Sequence, residues 1–518
     1  MLSATRQFDA ALKIIAALRD TGYEAYLAGG CVRDLLLGRE PKDYDVATSA
    51  TPDVVLAMFP RTFAVGAHFG VVLVADSDEE GYGITEVATF RSDGAYSDGR
   101  HPDAVRYTTS AEEDVRRRDF TINGLLLDVE HLFPQGLKPD SLAKLNVQAD
   151  EGTIPDGDHE ELASGAKAQV DITANAARLK SCPDTRQHLS GDCEARTLQD
   201  AVIDYVGGVA DLEAGVVRAI GRAGLRFEED HLRMLRGVRF AARFGFALEA
   251  RTAAAMRRLG AKTKAVSRER VRDELTKMLT EGHARRAFEL LDETDLLIEV
   301  LPEVAKMRGV EQPPQFHPEG DVWVHTLMLL EQLPADCSFT LAWGALLHDV
   351  GKPATFRRAP DRIRFDGHVD VGVAMAAEIC RRFRFSNDET RQILSLVENH
   401  MRFADAQRMK ASTLKRFFRL EDFPEHLALH RMDCMAASGN LDHWEFVRER
   451  YETMPAQAVR PQPLITGREL IAAGYKPGAG FKEMLRAVED AQLEGAISTA
   501  DEAMALVRER YGEGRSSG

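Results

Sequence analysis

Hydrophobic and polar residues follow two alternating patterns along the first 128 positions. Stretches with helical periodicity alternate with short β-rich runs, namely AYLAGG, YDVAT, FGVVLVA and GITEVATF. This alternation predicts a small α/β unit over residues 1–128.

The pattern changes after this unit. Residues 129–200 are polar, net acidic and poor in aromatic residues, which predicts a flexible insertion, with ordering on a partner as the alternative. Residues 201–222 resume a globular pattern and are assigned to the first unit. Residues 223–310 repeat apolar positions every three to four residues between arginines, which predicts a helical region. Residues 311–440 are predicted as a helical domain rich in histidine, and residues 441–518 as a helical tail.

Composition narrows the class of protein. The chain of 518 residues is 44% hydrophobic and 29% charged, as expected of a soluble globular protein. No apolar run reaches the roughly 18 residues of a membrane span, and the amino-terminal segment lacks the features of a secretory signal. We therefore expect a cytoplasmic protein without a membrane partner. The six cysteines show no C-x-x-C spacing, which favours reduced thiols.

The charge pattern indicates what the chain binds. A net charge of −16 argues against nonspecific coating of nucleic acid, and no DNA partner is expected. Arginines are nevertheless clustered locally, which is compatible with specific binding of one RNA. The clusters are Arg116–Arg118, Arg233 to Arg243 and Arg268 to Arg272.

The segment LAGGCVRDLLLG followed by PKDYDVAT carries the clearest chemical pattern. Asp43 and Asp45 stand two apart in a predicted strand, so both carboxylates project from one face and are candidates for holding divalent metal ions. Gly29 and Gly30 lie where a strand turns into a helix, and backbone amides there can approach phosphate, with Arg33 as a charge partner. A D-x-D pair alone is weak evidence, and the short distance to the glycines strengthens it.

Glu86, in the run GITEVATF, is the candidate for a third acidic catalytic group. The alternative is a carboxylate in water on an edge strand. The single residues Tyr44 and Phe120 are expected to pack rather than react.

These motifs resemble the class II tRNA nucleotidyltransferase and bacterial poly(A) polymerase family, whose first motif is similar to GGCVRD plus DYD. VRRRDFTINGLLLD is similar to the RRDFT-x-N segment of that family. This implies that four residues line the nucleotide ribose and triphosphate, namely Arg117, Arg118, Asp119 and Asn123. ATFRSDGAYSDGRHPDAV resembles the flexible loop between the motifs, with Arg91 and Asp93 near its start, and His101 stands where family members often have arginine.

Three further segments complete the resemblance. VIDYVGG resembles a hinge motif, and FEEDHLRMLRGVRFAARFG resembles an E-D-x-x-R helix. Asp230 and Arg233 are predicted on one helical face, where a carboxylate and a guanidinium can select the hydrogen-bonding edge shared by ATP and CTP. Arg236 is counted with the nucleotide-binding residues. SRERVRDEL is expected to brace the nucleotide pocket with Arg268 and Arg270.

The histidine-rich region carries a second constellation. Its residues match the H…HD…D arrangement of the HD phosphohydrolase superfamily, and these ligand types suit Mn, Ni, Fe or Mg. The predicted metal ligands are His325, His348, Asp349 and Asp433. His368 and His400 are candidates for a second metal or for phosphate binding, and Lys352 for contact with phosphate. The resemblance implies hydrolysis of phosphomonoesters or cyclic phosphodiesters at damaged RNA ends. Structural support of the tRNA body is the alternative.

Together the resemblance implies a polymerase-β-like α/β head followed by a helical neck and body, a helical HD domain and a helical tail. The expected reaction adds C, C and A to tRNA 3′ ends from CTP and ATP with Mg²⁺ in the head, and releases pyrophosphate. The HD domain is expected to hold a divalent transition metal or Mg²⁺. Two alternatives remain open, namely a poly(A) polymerase or A-adding enzyme, and an HD phosphohydrolase acting on RNA ends.

Overall fold

The computed structural model describes residues 2–64, 70–75, 83–94, 105–132 and 197–513. Most of the predicted insertion, and most of the predicted flexible loop with His101, lie outside the described residues. The chain divides into two compact units, Met1–Ala265 and Val266–Gly518. No helix within the described ranges is long and apolar enough to cross a membrane.

The first unit is built on a mixed seven-stranded sheet in the order β3-β4-β5-β2-β1-β8-β9. Only the central pair β2 and β5 is parallel, and the other neighbours are antiparallel. The strands are β1 (Ala25–Ala28), β2 (Val46–Thr48), β3 (Thr62–Phe63), β4 (Val71–Ala75), β5 (Ile84–Thr89), β8 (Leu125–Leu127) and β9 (Val202–Asp204). Two small pairs stand apart, β6 (Arg91–Asp93) with β7 (Val105–Tyr107) and β10 (Val216–Val217) with β11 (Ala247–Leu248).

Nine helices of the first unit fall within the described ranges. They are α1 (Leu2–Asp20), α2 (Gly30–Leu36), α3 (Pro52–Met58), α4 (Ala111–Arg116), α5 (Val129–Leu132), α6 (Gly208–Glu213), α7 (Ala223–Glu229), α8 (Arg233–Phe244) and α9 (Ala250–Leu259). The periodicity of α1 explains its place, because Phe8, Leu12, Ile15 and Leu18 recur on one face and are buried against the sheet. Short 3₁₀ helices lie at Thr121–Asn123, Leu198–Ala201 and Gly260–Ala265.

Strand β9 shows how the chain after the predicted insertion returns to the sheet. Val202–Asp204 pairs with Leu125–Leu127, and the Asp204 carboxylate accepts hydrogen bonds from four successive backbone amides, from Val206 to Val209, at 2.8–3.0 Å. The following Gly208 packs tightly, since an added Cβ would lie 2.2 Å from the Thr121 carbonyl oxygen. The VIDYVGG segment is therefore anchored to the RRDFTIN segment.

The second unit is helical apart from one short strand pair, β12 (Arg357–Arg358) with β13 (Ile363–Arg364). Its helices are α10 (Arg268–Thr280), α11 (Ala284–Glu293), α12 (Leu296–Val300), α13 (Pro302–Ala305), α14 (Val322–Glu331), α15 (Phe339–Leu347), α16 (Lys352–Thr355), α17 (His368–Arg382), α18 (Asn387–Asn399), α19 (Ala411–Phe417), α20 (Phe423–Ala436), α21 (Asp442–Thr453), α22 (Ala456–Val459), α23 (Gly467–Ala472), α24 (Ala479–Glu494) and α25 (Ala500–Tyr511). A 3₁₀ helix follows α18 at His400–Arg408.

Helix α10 belongs to the second unit through its packing. The buried Trp343 of α15 donates a hydrogen bond from its indole nitrogen to the Thr276 hydroxyl at 3.0 Å. Arg382 of α17 pairs with Glu303 of α13 at 2.7 Å. These contacts join residues 266–305 to the histidine-rich helices.

Candidate functional sites

The turn between β1 and α2 brings backbone and guanidinium groups close together. Gly29 has a φ of 75°, which favours glycine, and its amide donates to the Leu125 carbonyl at 2.9 Å. An added Cβ at Gly29 would lie 2.9 Å from Nη1 of Arg118. The glycine therefore lets the Arg118 guanidinium approach the turn, and Gly30 begins α2 directly after it.

The predicted catalytic carboxylates lie at one end of the central strands. Parallel pairing aligns Val46 of β2 with Val87 of β5, which places the preceding residues, Asp45 and Glu86, side by side. Asp43 and Glu86 are exposed and Asp45 is half-buried. Burial, reinforced by the charges of Glu86 and Asp43, raises the pKa of Asp45 to about 6, although Arg118 opposes the shift.

Two details differ from the sequence prediction. Strand β2 begins at Val46, so Asp43 and Asp45 lie on the segment that leads into the strand rather than within it. Asp45 is joined to the neighbouring strand β1 through its backbone, because its carbonyl accepts a hydrogen bond from the Ala28 amide at 3.0 Å. Among the described residues, the groups of three ligand atoms within 4.8 Å of one another do not include these carboxylates.

Asp114 is a functional candidate that sequence reasoning missed. Its buried carboxylate accepts from Arg117 at 2.7 Å and from Arg118 at 3.1 Å, and also from the Arg91 amide at 3.3 Å. Burial would raise the pKa of Asp114, but Arg118 and Arg117 lower it below its usual value. The signal was present in the sequence, because an acid three and four residues before two arginines lies on their side of a helix.

Asp119 connects three of the predicted nucleotide-binding residues. One carboxylate oxygen accepts from the Asn123 amide at 3.0 Å and the other accepts from Arg236 at 2.9 Å. Burial would raise the pKa of Asp119, but Arg236, Asn123 and Arg233 lower it to about 2. The carboxylate is therefore ionised and fixes Asn123 and Arg236 relative to each other.

Arg33 lies deeper than the prediction of a phosphate partner suggested. Its side chain is 5% exposed, pairs with Asp34 at 2.7 Å and donates to the Asn123 side-chain oxygen. The guanidinium lies over the Phe244 ring at 4.5 Å from its centroid. These contacts make Arg33 a buried connection between α2 and the Asp119 cluster.

The prediction that Asp230 and Arg233 lie on one face of a single helix is wrong. Helix α7 ends at Glu229 and α8 begins at Arg233, because Asp230 is extended and its carboxylate accepts from the Leu232 amide at 3.0 Å. Arg233 pairs with Glu229 at 2.6 Å and donates to the Arg117 carbonyl at 3.2 Å. The pair therefore spans a break between two helices.

A small cavity of about 260 Å³ lies beside this break. Its lining includes Arg117, Arg226 and Glu229, and Arg91 lies one residue before the lining residue Ser92. The remaining nucleotide-binding candidates, Arg268 and Arg270, lie in the first turn of α10 in the second unit.

The histidine-rich region gathers its predicted ligands from three helices. His348 follows α15 directly, His325 lies within α14 and Asp433 within α20. The Nε2 atom of His325 lies 3.0 Å from Asp433, and Nε2 of His348 lies 3.2 Å from Asp349. Burial would lower the pKa of His325, but the carboxylates of Asp433 and Glu319 raise it to about 9.

A second trio adjoins the first. Oδ1 of Asp349 faces Nε2 of His368 at 3.8 Å and Nε2 of His400 at 3.7 Å. All three atoms are buried and none has a hydrogen-bond partner within the described residues. The other oxygen of Asp349 faces His348, so this carboxylate stands between the two groups of ligands. Buried imidazole nitrogens and a carboxylate oxygen without hydrogen-bond partners are suitable ligands for a divalent metal ion.

Three residues around this centre were not identified from the sequence. Glu319 accepts from Nδ1 of both His317 and His325 at 2.8 Å, which fixes the orientation of the His325 ring. Gln312 accepts from Lys352 at 2.7 Å, and Lys352 also pairs with Asp349 at 2.6 Å. A cavity of about 570 Å³ opens onto the centre.

Three family models match parts of the chain. The "Poly A polymerase head domain" matches residues 25–135, which include the glycine turn, the acidic residues and the RRD segment. The "Probable RNA and SrmB- binding site of polymerase A" matches residues 245–307. A model of tRNA nucleotidyltransferase domain 2 matches residues 368–507.

The chain is also similar to named enzymes. The CCA-adding enzyme of Geobacillus thermodenitrificans (strain NG80-2) is 37% identical over 289 residues, 56% of this chain and 54% of that protein, so the chain spans about half the length of that relative. The CCA-adding enzyme of Streptococcus pneumoniae (strain CGSP14) is 28% identical over 508 residues, covering 97% of this chain and 98% of that protein.

A solved structure supports the same relationship. The crystal structure of Bacillus stearothermophilus CCA-adding enzyme in complex with CTP aligns with a TM-score of 0.63 at 26% identity, over 97% of this chain and 98% of that chain. The head-domain match and these full-length similarities confirm the predicted fold class and enzyme class, since the chain is similar to CCA-adding enzymes over nearly its whole length.

Proposed function

We propose that the chain is a cytoplasmic enzyme that adds C, C and A to the 3′ ends of tRNA from CTP and ATP, with release of pyrophosphate. The observation that carries this proposal is the alignment of Asp45 with Glu86 by the parallel pair β2 and β5, beside the Gly29 turn and Arg118. The relatives named as CCA-adding enzymes support the choice of product.

The carboxylates fit Mg²⁺, because hard divalent cations prefer oxygen ligands and Asp43, Asp45 and Glu86 offer only oxygen. Bound Mg²⁺ supplies Lewis acidity at the attacking 3′-hydroxyl and the triphosphate. The three carboxylates would hold the cation, and Arg117 and Arg118 would balance the negative charge of the departing pyrophosphate. Asp114 positions both arginines, since one carboxylate accepts from each of them.

Asp230 and Arg233 are proposed to select the base. CTP and ATP share an exocyclic amine beside a ring acceptor, so a carboxylate and a guanidinium complement both, whereas UTP and GTP present a different pattern. Glu229 supports this role because its contact at 2.6 Å fixes the Arg233 side chain next to the break at Asp230. Asp230→Ala is expected to permit incorporation of UTP or GTP, which wild-type protein rejects.

The test of the transferase uses tRNA transcripts that end before CCA, before CA and before A. Purified protein with Mg²⁺ should complete each transcript and stop after the terminal A, with products resolved at single-nucleotide resolution. Asp45→Ala should abolish addition. Asp53→Ala is the matched control, because this exposed aspartate of α3 lies outside the acidic cluster.

The alternatives give different products in the same assay. A long A tail would identify a poly(A) polymerase, and addition of A alone an A-adding enzyme. Absence of any addition by wild-type protein would contradict the transferase proposal and leave the histidine-rich domain as the active part.

A second activity is proposed for the histidine-rich domain, namely that of an HD phosphohydrolase acting on phosphomonoesters or cyclic phosphates at RNA ends. The buried, unpaired atoms of Asp349, His368 and His400 favour it. His325, His348 and Asp433 complete the ligands that would hold one or two divalent ions. A metal bound there would supply Lewis acidity, and Lys352 places a cation at the cavity wall.

This activity is tested on RNA that ends in a 2′,3′-cyclic phosphate. The full chain loaded with Mn²⁺, Ni²⁺ or Mg²⁺ should open the cyclic ester, and Asp349→Asn should abolish hydrolysis while CCA addition continues. Metal bound without hydrolysis of any RNA-end phosphate would instead support a structural role.

A further inference from the structure

A large cavity lies in the first unit, away from the acidic cluster. It encloses about 660 Å³ between α7 and α9 and the segment that joins β10 to α7. Four arginines line it, namely Arg218, Arg222, Arg251 and Arg258. None of the residues identified above as catalytic or nucleotide-binding belongs to this lining.

The acidic residues of the lining already have partners. Glu249 accepts from Thr252 at 2.7 Å and lies 3.5 Å from Arg218, and Glu228 lies 3.3 Å from Lys262. The cavity walls therefore offer no spare acidic residue for the other arginines.

Three guanidinium groups have no partner among the residues that the structure describes. Arg222, Arg251 and Arg258 make no side-chain hydrogen bond or ion pair with any residue that the structure describes, and all three are exposed. An excess of positive charge is thus concentrated on a chain whose net charge is −16. Such a concentration attracts a polyanion locally while the rest of the surface repels it.

Gly224 fits the position of one of these arginines. An added Cβ there would lie 2.7 Å from Nη2 of Arg258, so this guanidinium lies close against the first turn of α7. Arg258 is thus exposed on the wall of the cavity. Planar guanidinium groups bind phosphate oxygens with two parallel hydrogen bonds.

We propose that this cavity binds consecutive backbone phosphates of the RNA substrate, as a contact separate from the nucleotide site. The cavity is much larger than one phosphate ion, and its unpaired arginines stand on α9 and on the segment before α7, which suits a chain of phosphodiesters. This proposal rests on the proposed function in that it assumes an RNA substrate, and it adds the place where the RNA backbone is held.

The test compares a triple variant, which carries Arg222→Gln, Arg251→Gln and Arg258→Gln, with a single variant, Arg257→Gln. Arg257 is the matched control, because it is exposed on the same helix and lies outside the lining. Binding of a tRNA transcript lacking CCA is measured by fluorescence anisotropy at several salt concentrations. We expect about eightfold weaker binding for the triple variant, about a factor of two for each exposed ion pair lost. The slope of log affinity against log salt should become shallower by about one per lost contact.

The control should bind RNA as wild type does, and KM for CTP should be unchanged in all variants. Unchanged affinity and salt slope in a triple variant with wild-type Tm would overturn the proposal, as would an equal loss in the control. Stabilisation by pyrophosphate alone, with RNA binding unaffected in the triple variant, would identify a small-anion site instead. Wild-type protein that binds tRNA through these arginines but adds no nucleotide would contradict the transferase proposal and still support the phosphate site.

Discussion

Replacing Asp114 tests whether one buried carboxylate holds the arginines of the RRD segment. Its side chain is 2% exposed and contacts Arg117 at 2.7 Å and Arg118 at 3.1 Å, whose side chains are 20% and 19% exposed. Removing one partner of a buried ion pair costs about 3–5 kcal/mol. Because both arginines keep some contact with water, we expect Asp114→Asn to cost about 3 kcal/mol, the low end of that range.

The assay is calorimetric unfolding of the full chain, with the transition of the first unit followed in each variant. At roughly 2–4 °C per kcal/mol for a unit of this size, Asp114→Asn should lower its Tm by roughly 6–12 °C. KM for CTP should rise as well, because both arginines lose the group that orients them.

Glu112→Gln is the control from the same helix. Glu112 pairs with Arg116 at 2.6 Å, but their side chains are 47% and 61% exposed. An exposed pair of this kind contributes at most about 1 kcal/mol, so the Tm should fall by no more than roughly 4 °C. Equal decreases in the two variants would refute the reasoning, because burial would then not decide the strength of the pair.

Three further predictions follow from local geometry. Gly29→Ala should reduce kcat/KM for CTP addition at least tenfold, because the new Cβ would lie 2.9 Å from an arginine nitrogen at a φ of 75°. Gly38→Ala is the control and should leave kcat/KM nearly unchanged, because this glycine also has a positive φ but no atom lies within 4 Å of an added Cβ. The lowered pKa of Asp119 gives stability that is present above the unfolded-state pKa of about 3.9 and is lost as pH falls towards 2. The urea midpoints of wild type and Asp119→Asn should therefore converge over that interval. Asp349→Asn should reduce metal bound by the full chain, measured by inductively coupled plasma mass spectrometry, whereas a variant that keeps wild-type metal content would contradict the proposed centre.

The sequence by itself determined the features that depend on residues near one another in the chain. The helical periodicity within the first 128 residues predicted helices there, and in α1 Phe8, Leu12 and Ile15 share one buried face. The glycine pair after a β-rich run predicted the turn at Gly29, where the backbone adopts a positive φ. Short-range periodicity and backbone preference act within a few residues, so the sequence displays them directly.

A local hydrogen bond limited the prediction at Asp230. The periodicity of the segment suggested one continuous helix, yet the Asp230 carboxylate accepts from the Leu232 amide and α7 ends one residue earlier. Aspartate side chains compete with the helix for backbone amides. Apolar spacing does not distinguish a helix that continues from two helices that meet at such a residue.

Only the tertiary structure decided which distant residues meet. Glu86 became a neighbour of Asp45 through the parallel register of β2 and β5, and Asp349 faces both His368 and His400 because separate helix ends converge on it. Strand register and helix packing are fixed by burial over the whole domain rather than by neighbouring residues. The sequence therefore determined the kinds of chemical group available, and the packing of the fold decided which of those groups act together.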